Sequence, residues 1–341
     1  MSDTGMAAEF REAPEAVRRQ ARDLARPVAE LVARLERKPP QVVLTCARGS
    51  SAHAATFAKH LIERHLRIPV AAAAPNIATV YGERLRLDGQ LLLAISQSGA
   101  SDDLVEFATV AKASGALTAA LVNETNSPLA RACDIVLPMA AGSETSVAAT
   151  KSFVAALAAL LGLTAAWAGE RALRAALDRL PDRLAASTAL DWSAAVNALG
   201  ETESLVTIGR GPTLAIAREA SLKLKETCDL HAEAFSGAEF LHGPVALVST
   251  LYPILMFMPT DAAAAGLRAL AADLRRKGAA IFTTEPGEPM AGRLLALAPD
   301  HPDADAVCLI QSFYALLVLL AERRGTDVDQ PRHLQKVTRT R

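Results

Sequence analysis

Short apolar runs alternate with longer amphipathic runs along most of this 341-residue chain, and this alternation is what most limits its fold. Runs with the length and composition of buried strands are QVVLTC (41–46), VAAAA (70–74), LLLAIS (91–96), LTAALV (117–122) and DIVLPM (134–139). Between them, SSAHAATFAKHLIERH (50–65), expected to open on a serine cap, and DDLVEFATVAKASG (102–115) are typical of helices. This alternation predicts an α/β fold whose parallel sheet is covered on both faces.

The same order recurs in the second half of the chain. SLVTIGRG (204–211) matches VVLTCARG (42–49), and the two Arg-Gly glycines, Gly49 and Gly211, are 162 positions apart. The glycines that end two predicted helices, Gly115 and Gly278, are 163 positions apart. Two landmarks with nearly one offset predict a duplicated α/β unit, with the halves joined between residues 169 and 192.

Two predicted strands of the first half end in serine and glycine, in ISQSGASDD (95–103) and CARGSS (46–51). Ligands of open α/β sheets bind beyond the carboxyl ends of the strands, where helix N-termini and short hydroxyls favour an anion. Gly99 would let the backbone approach that anion closely. These residues therefore predict a phosphate site, and the alternative is that the serines only cap helices.

The corresponding segment of the second half, MFMPTDAAA (256–264), has no Ser-x-Ser pattern, so this copy is expected to have lost the phosphate site. Neither half contains a P-loop or a GxGxxG motif, and nucleotide binding is not indicated.

A second candidate site lies in REASLKLKETCDLHAEAFSGAEFLHGPVALV (218–248). Lys223 and Glu226 are three positions apart and share a helix face, whereas Lys225 points elsewhere. A carboxylate beside an ammonium group in a cleft can move protons, although an ordinary intrahelical ion pair is the alternative. His231 and His242, both expected in loops, strengthen the first interpretation moderately. No metal-ligand spacing such as HExxH is present.

The end of the chain, DVDQPRHLQKVTRTR (327–341), would by default be a frayed terminus. Its turn-forming residues 327, 329, 330 and 331 follow an apolar run (307–321) that predicts a buried helix. The tail could therefore fold back over a site and deliver Lys336.

Composition limits the partners and the compartment. The 36 basic and 37 acidic residues are not segregated into blocks, which argues against nucleic-acid or membrane-surface binding. The four cysteines form no CxxC pair and predict buried thiols in a reducing compartment. The apolar runs 152–169 and 307–321 predict buried helices rather than membrane spans. The first twenty residues lack the apolar core of a signal peptide, so a cytoplasmic protein is expected.

Four motifs, in order along the chain, resemble the sugar isomerase (SIS) module of glucosamine-6-phosphate synthase. They are SQSGASDD (96–103), AGSETSVAATKSF (141–153), the segment that runs from KLKET to EFLHGPVALV (223–248), and DVDQPRHLQKV (327–337). The resemblance implies two tandem SIS domains, each a parallel five-stranded sheet flanked by helices, with a C-terminal catalytic tail. The expected boundaries are an N-terminal helical segment (1–35), a sugar-phosphate-binding SIS domain (36–170), a helical linker (171–195), a SIS domain with the catalytic base (196–325) and the tail (326–341).

The resemblance also implies roles for individual residues. The sugar phosphate would be held by Ser51, Ser96, Gln97, Ser98 and Ser101. Val147 and Ala149 would lie along the sugar, although synthases usually have serine at the second of these positions.

The implied catalytic residues are Glu226, Lys223, His242 and Lys336. Glu226 would move a proton between C1 and C2 of the sugar with help from Lys223. His242 would open the ring from the other subunit of a homodimer, so that the active sites are shared. Lys336 would form a Schiff base with the open ketose. His333 stands where synthases usually have asparagine, which leaves details of the tail open.

Synthases begin with a glutaminase domain that releases ammonia, whereas only about forty residues, none of them cysteine, precede the first predicted strand here. Removal of the amine is therefore the expected direction, as in stand-alone SIS-type glucosamine-6-phosphate deaminases. These convert glucosamine 6-phosphate and water to fructose 6-phosphate and ammonia without a metal or organic cofactor. Open alternatives are a galactosamine-phosphate deaminase/isomerase, a fructosamine-phosphate deglycase, an isomerase that leaves the amine in place, and a non-catalytic sugar-phosphate sensor. Retention of all four catalytic residues argues against the sensor.

Overall fold

The computed structural model describes residues 4–336 of the chain. These residues form two compact units. The N-unit consists of residues 15–144, 151–177 and 335–336, and the C-unit of residues 4–14, 145–150 and 178–334. Residues 1–3 of the predicted N-terminal segment and residues 337–341 of the predicted tail lie outside the described residues. The domain boundaries expected from the sequence stay a prediction.

The helices of the described chain alternate with strands, as the sequence predicts. They are α1 (Gly5–Arg11), α2 (Ala13–Arg37), α3 (Gly49–His65), α4 (Asn76–Thr79), α5 (Asp102–Ala113), α6 (Pro128–Ala132), α7 (Lys151–Ala168), α8 (Arg171–Thr188), α9 (Val196–Gly200), α10 (Thr213–Cys228), α11 (Gly237–Phe240), α12 (Ala264–Arg276) and α13 (Pro302–Arg324). Short 3₁₀ helices span Ser193–Ala195 and Pro244–Leu247.

Each unit contains one parallel sheet, which has five strands within residues 4–336. The N-unit sheet is built from β1 (Val43–Ala47), β2 (Val70–Ala72), β3 (Leu91–Ser96), β4 (Leu117–Val122) and β5 (Ile135–Pro138), in the order β2-β1-β3-β4-β5. The C-unit sheet is built from β6 (Ser204–Gly209), β7 (His231–Ser236), β8 (Pro253–Met256), β9 (Ala280–Glu285) and β10 (Arg293–Leu295), in the order β7-β6-β8-β9-β10. The same order in both sheets confirms the duplicated α/β unit.

Burial follows from the apolar composition of the strands. Every residue of β3 and of β8 is buried, which is typical of central strands of a parallel sheet with both faces covered. In the N-unit, α3 packs against the Ala- and Leu-rich helix α7, and in the C-unit α10 packs against α13. The crossover helices therefore supply the layers that keep both sheets out of water.

The helices α7 and α13 are long and apolar enough to cross a membrane by length and composition alone. The apolar window of α7 is 83% buried and that of α13 is 94% buried against the rest of the protein. Such burial is typical of core helices in a soluble protein, in agreement with the sequence prediction. The cytoplasmic location stays a prediction.

Two local predictions are wrong. The helix expected to open on a serine cap begins at Gly49, and its N-cap, Arg48, makes no side-chain capping bond. His231 is not in a loop but is the first residue of β7, where it lies opposite Ser204 of β6. The sequence HAEAFS alternates polar and apolar residues, which favours an edge strand with one solvated face.

Candidate functional site

The predicted phosphate residues follow two neighbouring strands of the N-unit sheet. The strands β1 and β3 pair in parallel, with Cys46 opposite Ala94 and Ala47 opposite Ile95. Because parallel strands end at the same edge, Ser51 and the loop 96–101 emerge side by side. We call the segments 48–51 and 96–101 the cradle.

An ion pair ties the two halves of the cradle together. The Arg48 guanidinium donates from Nε (3.0 Å) and from Nη2 (2.7 Å) to Oδ2 of Asp103 in the first turn of α5. Asp103 is buried and Arg48 is half exposed. The pair therefore fixes the start of α3 against the start of α5.

The loop 96–101 has a defined shape. The Ser96 hydroxyl accepts a 3.1 Å hydrogen bond from the Gly99 N–H, and the Gly99 carbonyl accepts one of 3.0 Å from the Leu129 N–H. Gly99 has a φ of +59°, which a residue with a side chain adopts only at a cost. Ser96 is buried, whereas Ser51, Gln97, Ser98 and Ser101 are partly exposed and available to a ligand.

The N-termini of α3 and α5 both open at the cradle without a side-chain cap. Arg48 and Ser101 occupy the N-cap positions, and neither side chain bonds to the helix it precedes. The first N–H groups of a helix have no partner within the helix and attract anions. The alternative that these serines only cap helices is therefore not supported for Ser101.

Lys336 lies in the same unit as the cradle. Its Nζ donates a 3.2 Å hydrogen bond to Oε2 of Glu144, a carboxylate that is 0% exposed. This bond brings Lys336 of the predicted tail against Glu144, a residue that the sequence did not single out. Delivery of Lys336 to a sugar site stays a prediction.

In the C-unit, α10 carries a buried charged cluster. Lys223 is 1% exposed, and its Nζ pairs with Oε2 of Glu226 and lies 3.5 Å from Oε1 of Glu219. Glu219 is 0% exposed, whereas the Glu226 side chain is 21% exposed. Lys225 instead donates a 3.0 Å bond to the Ala232 carbonyl. The shared face of Lys223 and Glu226 is confirmed, and Glu226 is the carboxylate of this cluster that solvent and ligands can reach.

His242 lies in an exposed turn of the C-unit between α11 and the 3₁₀ helix Pro244–Leu247. The backbone N–H of His242 donates a 2.9 Å bond to the Glu239 carbonyl, and the next residue, Gly243, has a φ of +132°. His242 is exposed, and Leu241 and Leu247 of the same segment are half exposed.

Two carboxylates of the C-unit hold the segment 145–150, which carries Val147 and Ala149. The Glu9 carboxylate of α1 accepts bonds from the Thr145 hydroxyl (2.9 Å) and the Ser146 N–H (3.3 Å). The Asp329 carboxylate accepts a 3.1 Å bond from the Ser146 hydroxyl. Val147 and Ala149 are partly exposed within this anchored segment.

The sequence did not single out Arg48, Asp103, Glu9, Glu144 or Glu219. Each of these residues contacts a partner that is remote in the chain or is itself buried. Of the five, Glu219 alone could have been found from the sequence, because it lies four residues before Lys223 on the same helix.

Metal ligation has no obvious site in the described chain, because residues 4–336 contain no group of three or more His, Cys, Asp or Glu suited to hold a metal ion. The four cysteines are free and buried, as predicted.

A cavity of about 200 Å³ lies in the C-unit at the carboxyl ends of β8, β9 and β10. Its wall combines apolar residues such as Met258 and Leu309 with the ion-paired Arg183 and Asp305. The predicted catalytic residues do not line it, so we do not assign the sugar chemistry to this cavity.

Comparison with known proteins decides the family. The SIS domain profile matches residues 38–166 and 199–321, one stretch for each sheet. The chain belongs to the SIS domain family. This confirms the resemblance and the α/β fold of two tandem SIS domains.

The curated relatives that the chain matches include isomerizing aminotransferases. Glutamine–fructose-6-phosphate aminotransferase (isomerizing) of Zymomonas mobilis is 32% identical over 311 residues, which cover 86% of this chain and 51% of the relative. The chain thus spans about half the length of the curated relatives that it matches.

Two solved structures cover nearly the whole chain. A protein from Silicibacter pomeroyi, provisionally named a phosphosugar isomerase, is 45% identical with a TM-score of 0.90, covering 96% of this chain and 100% of its own. The C-terminal domain of glucosamine-fructose-6-phosphate aminotransferase from Francisella tularensis is 26% identical with a TM-score of 0.85, covering 97% and 99%.

Proposed function

We propose that this SIS protein is a deaminating isomerase that converts glucosamine 6-phosphate and water to fructose 6-phosphate and ammonia. The observation that carries the proposal is the cluster on α10, where a buried ammonium pairs with a carboxylate that remains accessible. A carboxylate held in this way can remove a proton from carbon while Lys223 stabilises the negative charge that develops.

The proposed reaction begins with binding of the phosphate in the cradle. Hydroxyls of Ser51, Ser98 and Ser101 and the uncapped starts of α3 and α5 supply donors for the phosphate oxygens. Arg48, which is half exposed and paired with Asp103, lies at the same edge of the sheet. The remainder of the sugar would extend past Val147 and Ala149.

Ring opening and proton transfer follow. His242 protonates the ring oxygen, and the open aldose presents its C2 proton to Glu226. Glu226 removes that proton and returns it to C1, which converts the amino-aldose to the imine of fructose 6-phosphate. None of these steps requires a metal or an organic cofactor.

Release of ammonia completes the reaction. The Lys336 amine adds to C2 of the imine and expels ammonia, and water then hydrolyses the Lys336 adduct to free fructose 6-phosphate. Water is in large excess over ammonia, so hydrolysis is the net direction these residues support in the absence of another nitrogen donor. The names of the relatives, synthases that use fructose 6-phosphate and a phosphosugar isomerase, support this choice of substrate class.

A homodimer with shared active sites is part of the proposal. His242 is exposed, and the segment that precedes and follows it in sequence carries the exposed apolar side chains of Leu241 (52% exposed), Leu247 (49%) and Leu251 (74%). An exposed histidine among exposed leucines is the composition expected of a segment that inserts against a second copy.

Glu226→Gln tests the assignment of the base. The variant keeps the size of the side chain but cannot accept the proton, so we expect turnover to fall roughly 10²- to 10⁴-fold. Exchange of the sugar C1 and C2 protons with deuterated water, followed by NMR, should fall in parallel. Binding of fructose 6-phosphate, measured by calorimetry, should change little because the cradle is intact.

The matched control is Glu233→Gln, an exposed glutamate on β7. This variant should exchange and turn over like the unmodified protein. An active Glu226→Gln variant that still exchanges the C2 proton would reject Glu226 as the base.

A further inference from the structure

A buried acid, Glu144, accepts a hydrogen bond from the ammonium group of Lys336. Lys336 is 25% exposed and near the end of the chain, where a long side chain would otherwise sample many rotamers. Its hydrogen bond to Glu144 restricts those rotamers, although the two residues are 192 positions apart.

Glu144 is itself fixed in place. Its Oε1 accepts a 3.1 Å bond from the Ser152 N–H, and its Oε2 accepts a 2.5 Å bond from the Ser152 hydroxyl. Ser152 lies in the first turn of α7, an 18-residue helix whose N-terminus favours a negative charge. The Glu144 carboxylate is therefore fixed to the start of α7, and its position determines where the Lys336 ammonium group lies.

We infer that Glu144 is a positioning residue that orients Lys336 for attack on the sugar carbonyl or imine and then stabilises the resulting iminium. Lys336 first passes one proton to the Glu144 carboxylate, and its amine nitrogen then bonds to the ketone carbon. The carbonyl oxygen leaves as water with that proton and one from nitrogen, so the single positive charge returns to nitrogen. A carboxylate that pairs with the ammonium is thus equally suited to the iminium. The inference rests on the proposed function only in taking Lys336 as the nucleophile.

Glu144→Gln is the informative variant, since it keeps the shape and an oxygen for Ser152 but removes the charge. The readout is borohydride trapping of fructose 6-phosphate on Lys336, quantified by peptide mass spectrometry. We expect the trapping rate and kcat to fall tenfold or more, with KM changed less than about twofold, because a charge-assisted bond is worth about tenfold or more. The control, Glu124→Gln, changes an exposed glutamate of the same unit and should have no effect.

A double-mutant cycle separates positioning from a merely structural role. Lys336→Arg keeps a cation for Glu144 but cannot form an imine. If Glu144 acts through Lys336, Glu144→Gln will not lower the residual proton exchange of the Lys336→Arg variant any further. The inference would be overturned if Glu144→Gln lowered the proton-exchange rate equally with Lys336 and with Arg at position 336. It would also be overturned if Glu144→Gln raised KM and lowered the melting temperature together.

Failure of the inference can be distinguished from failure of the proposed function. Trapping on Lys336 that depends on Glu144, without ammonia release from glucosamine 6-phosphate, would reject the deaminase and retain the inference. Ammonia release without any trapped adduct on Lys336 would retain the deaminase and reject the inference about Glu144.

Discussion

The backbone N–H of Gly5 donates a 2.7 Å hydrogen bond to Oδ2 of Asp329, which joins positions 324 residues apart. Oδ1 of the same carboxylate accepts bonds from the Met6 N–H (2.7 Å) and the Ser146 hydroxyl (3.1 Å). One side chain of the C-unit thus holds the start of α1, the segment before Val147 and the beginning of the tail. The N-terminal helix is in this way part of the scaffold of the proposed site.

Replacing Asp329 by Asn should loosen this scaffold. The amide can accept from one N–H but turns its own donor toward another, so charge-assisted bonds worth about 1.5–3 kcal/mol each are weakened or lost. We expect a lower melting temperature and faster proteolysis within residues 326–336. Asp327→Asn is the control, because Asp327 is exposed and, among residues 4–336, bonds within the local turn, to the N–H groups of Asp329 and Gln330.

Gly99→Ala should damage the cradle far more than Gly49→Ala. Both glycines have a positive φ, so alanine costs roughly 1–2 kcal/mol at either position. A Cβ at position 99 would lie 2.1 Å from the Ser127 hydroxyl oxygen, whereas nothing lies within 4 Å of one at position 49. Urea unfolding and calorimetric binding of fructose 6-phosphate should both separate the two variants. Equal effects of the two substitutions would mean that the Ser127 side chain can move away from the new Cβ without a loss of stability.

Lys223→Met should destabilise the C-unit by about 3–5 kcal/mol, because it leaves Glu219 buried and Glu226 partly buried without their cation. Lys225→Met on the same helix should cost about 1 kcal/mol or less, since Lys225 is exposed and contacts neutral oxygens. Denaturant unfolding of the two variants gives the comparison. Similar midpoints would show that the buried cluster does not need its lysine for stability.

The thiols should be unreactive in the folded protein. Burial raises the pKa of Cys46, Cys228 and Cys308 to about 12 and that of Cys133 to about 11, from an ordinary value of 9.0. A thiol reagent at pH 8 should therefore modify cysteine only after denaturation. Modification of a native thiol at the rate of a free cysteine would contradict this burial.

The same shifts set the sign of a pH effect. The folded-state pKa values of these thiols lie above the unfolded value. Their contribution to the free energy of unfolding is therefore complete below pH 9 and is lost as pH rises toward about 12. Replacing Cys46 by Ser should weaken this alkaline loss.

The sequence predicted the features that depend on local pattern. The strand LLLAIS is found at Leu91–Ser96 as expected, and the Ser/Gly loops after β1 and β3 do lie side by side. Lys223 and Glu226 also meet as their spacing required. In each case the information is a periodicity or a strand end, which a short stretch of sequence contains.

What the sequence could not predict are pairings between remote residues. Nothing in the segment AGSETSVAAT marks Glu144 as the partner of Lys336, because their contact depends on the fold of the whole unit. The expected cap at Ser50 is wrong for a related reason. Arg48 forms an ion pair with the buried Asp103 of α5, and the helix starts at Gly49 instead.

Ammonia release from glucosamine 6-phosphate by the purified protein is the most direct test of the account, with galactosamine 6-phosphate assayed alongside. We expect one ammonia and one fructose 6-phosphate per glucosamine 6-phosphate consumed, without added glutamine. Binding of fructose 6-phosphate without ammonia release from either amino sugar would contradict the deaminase and leave a phosphosugar-binding protein with another reaction to find.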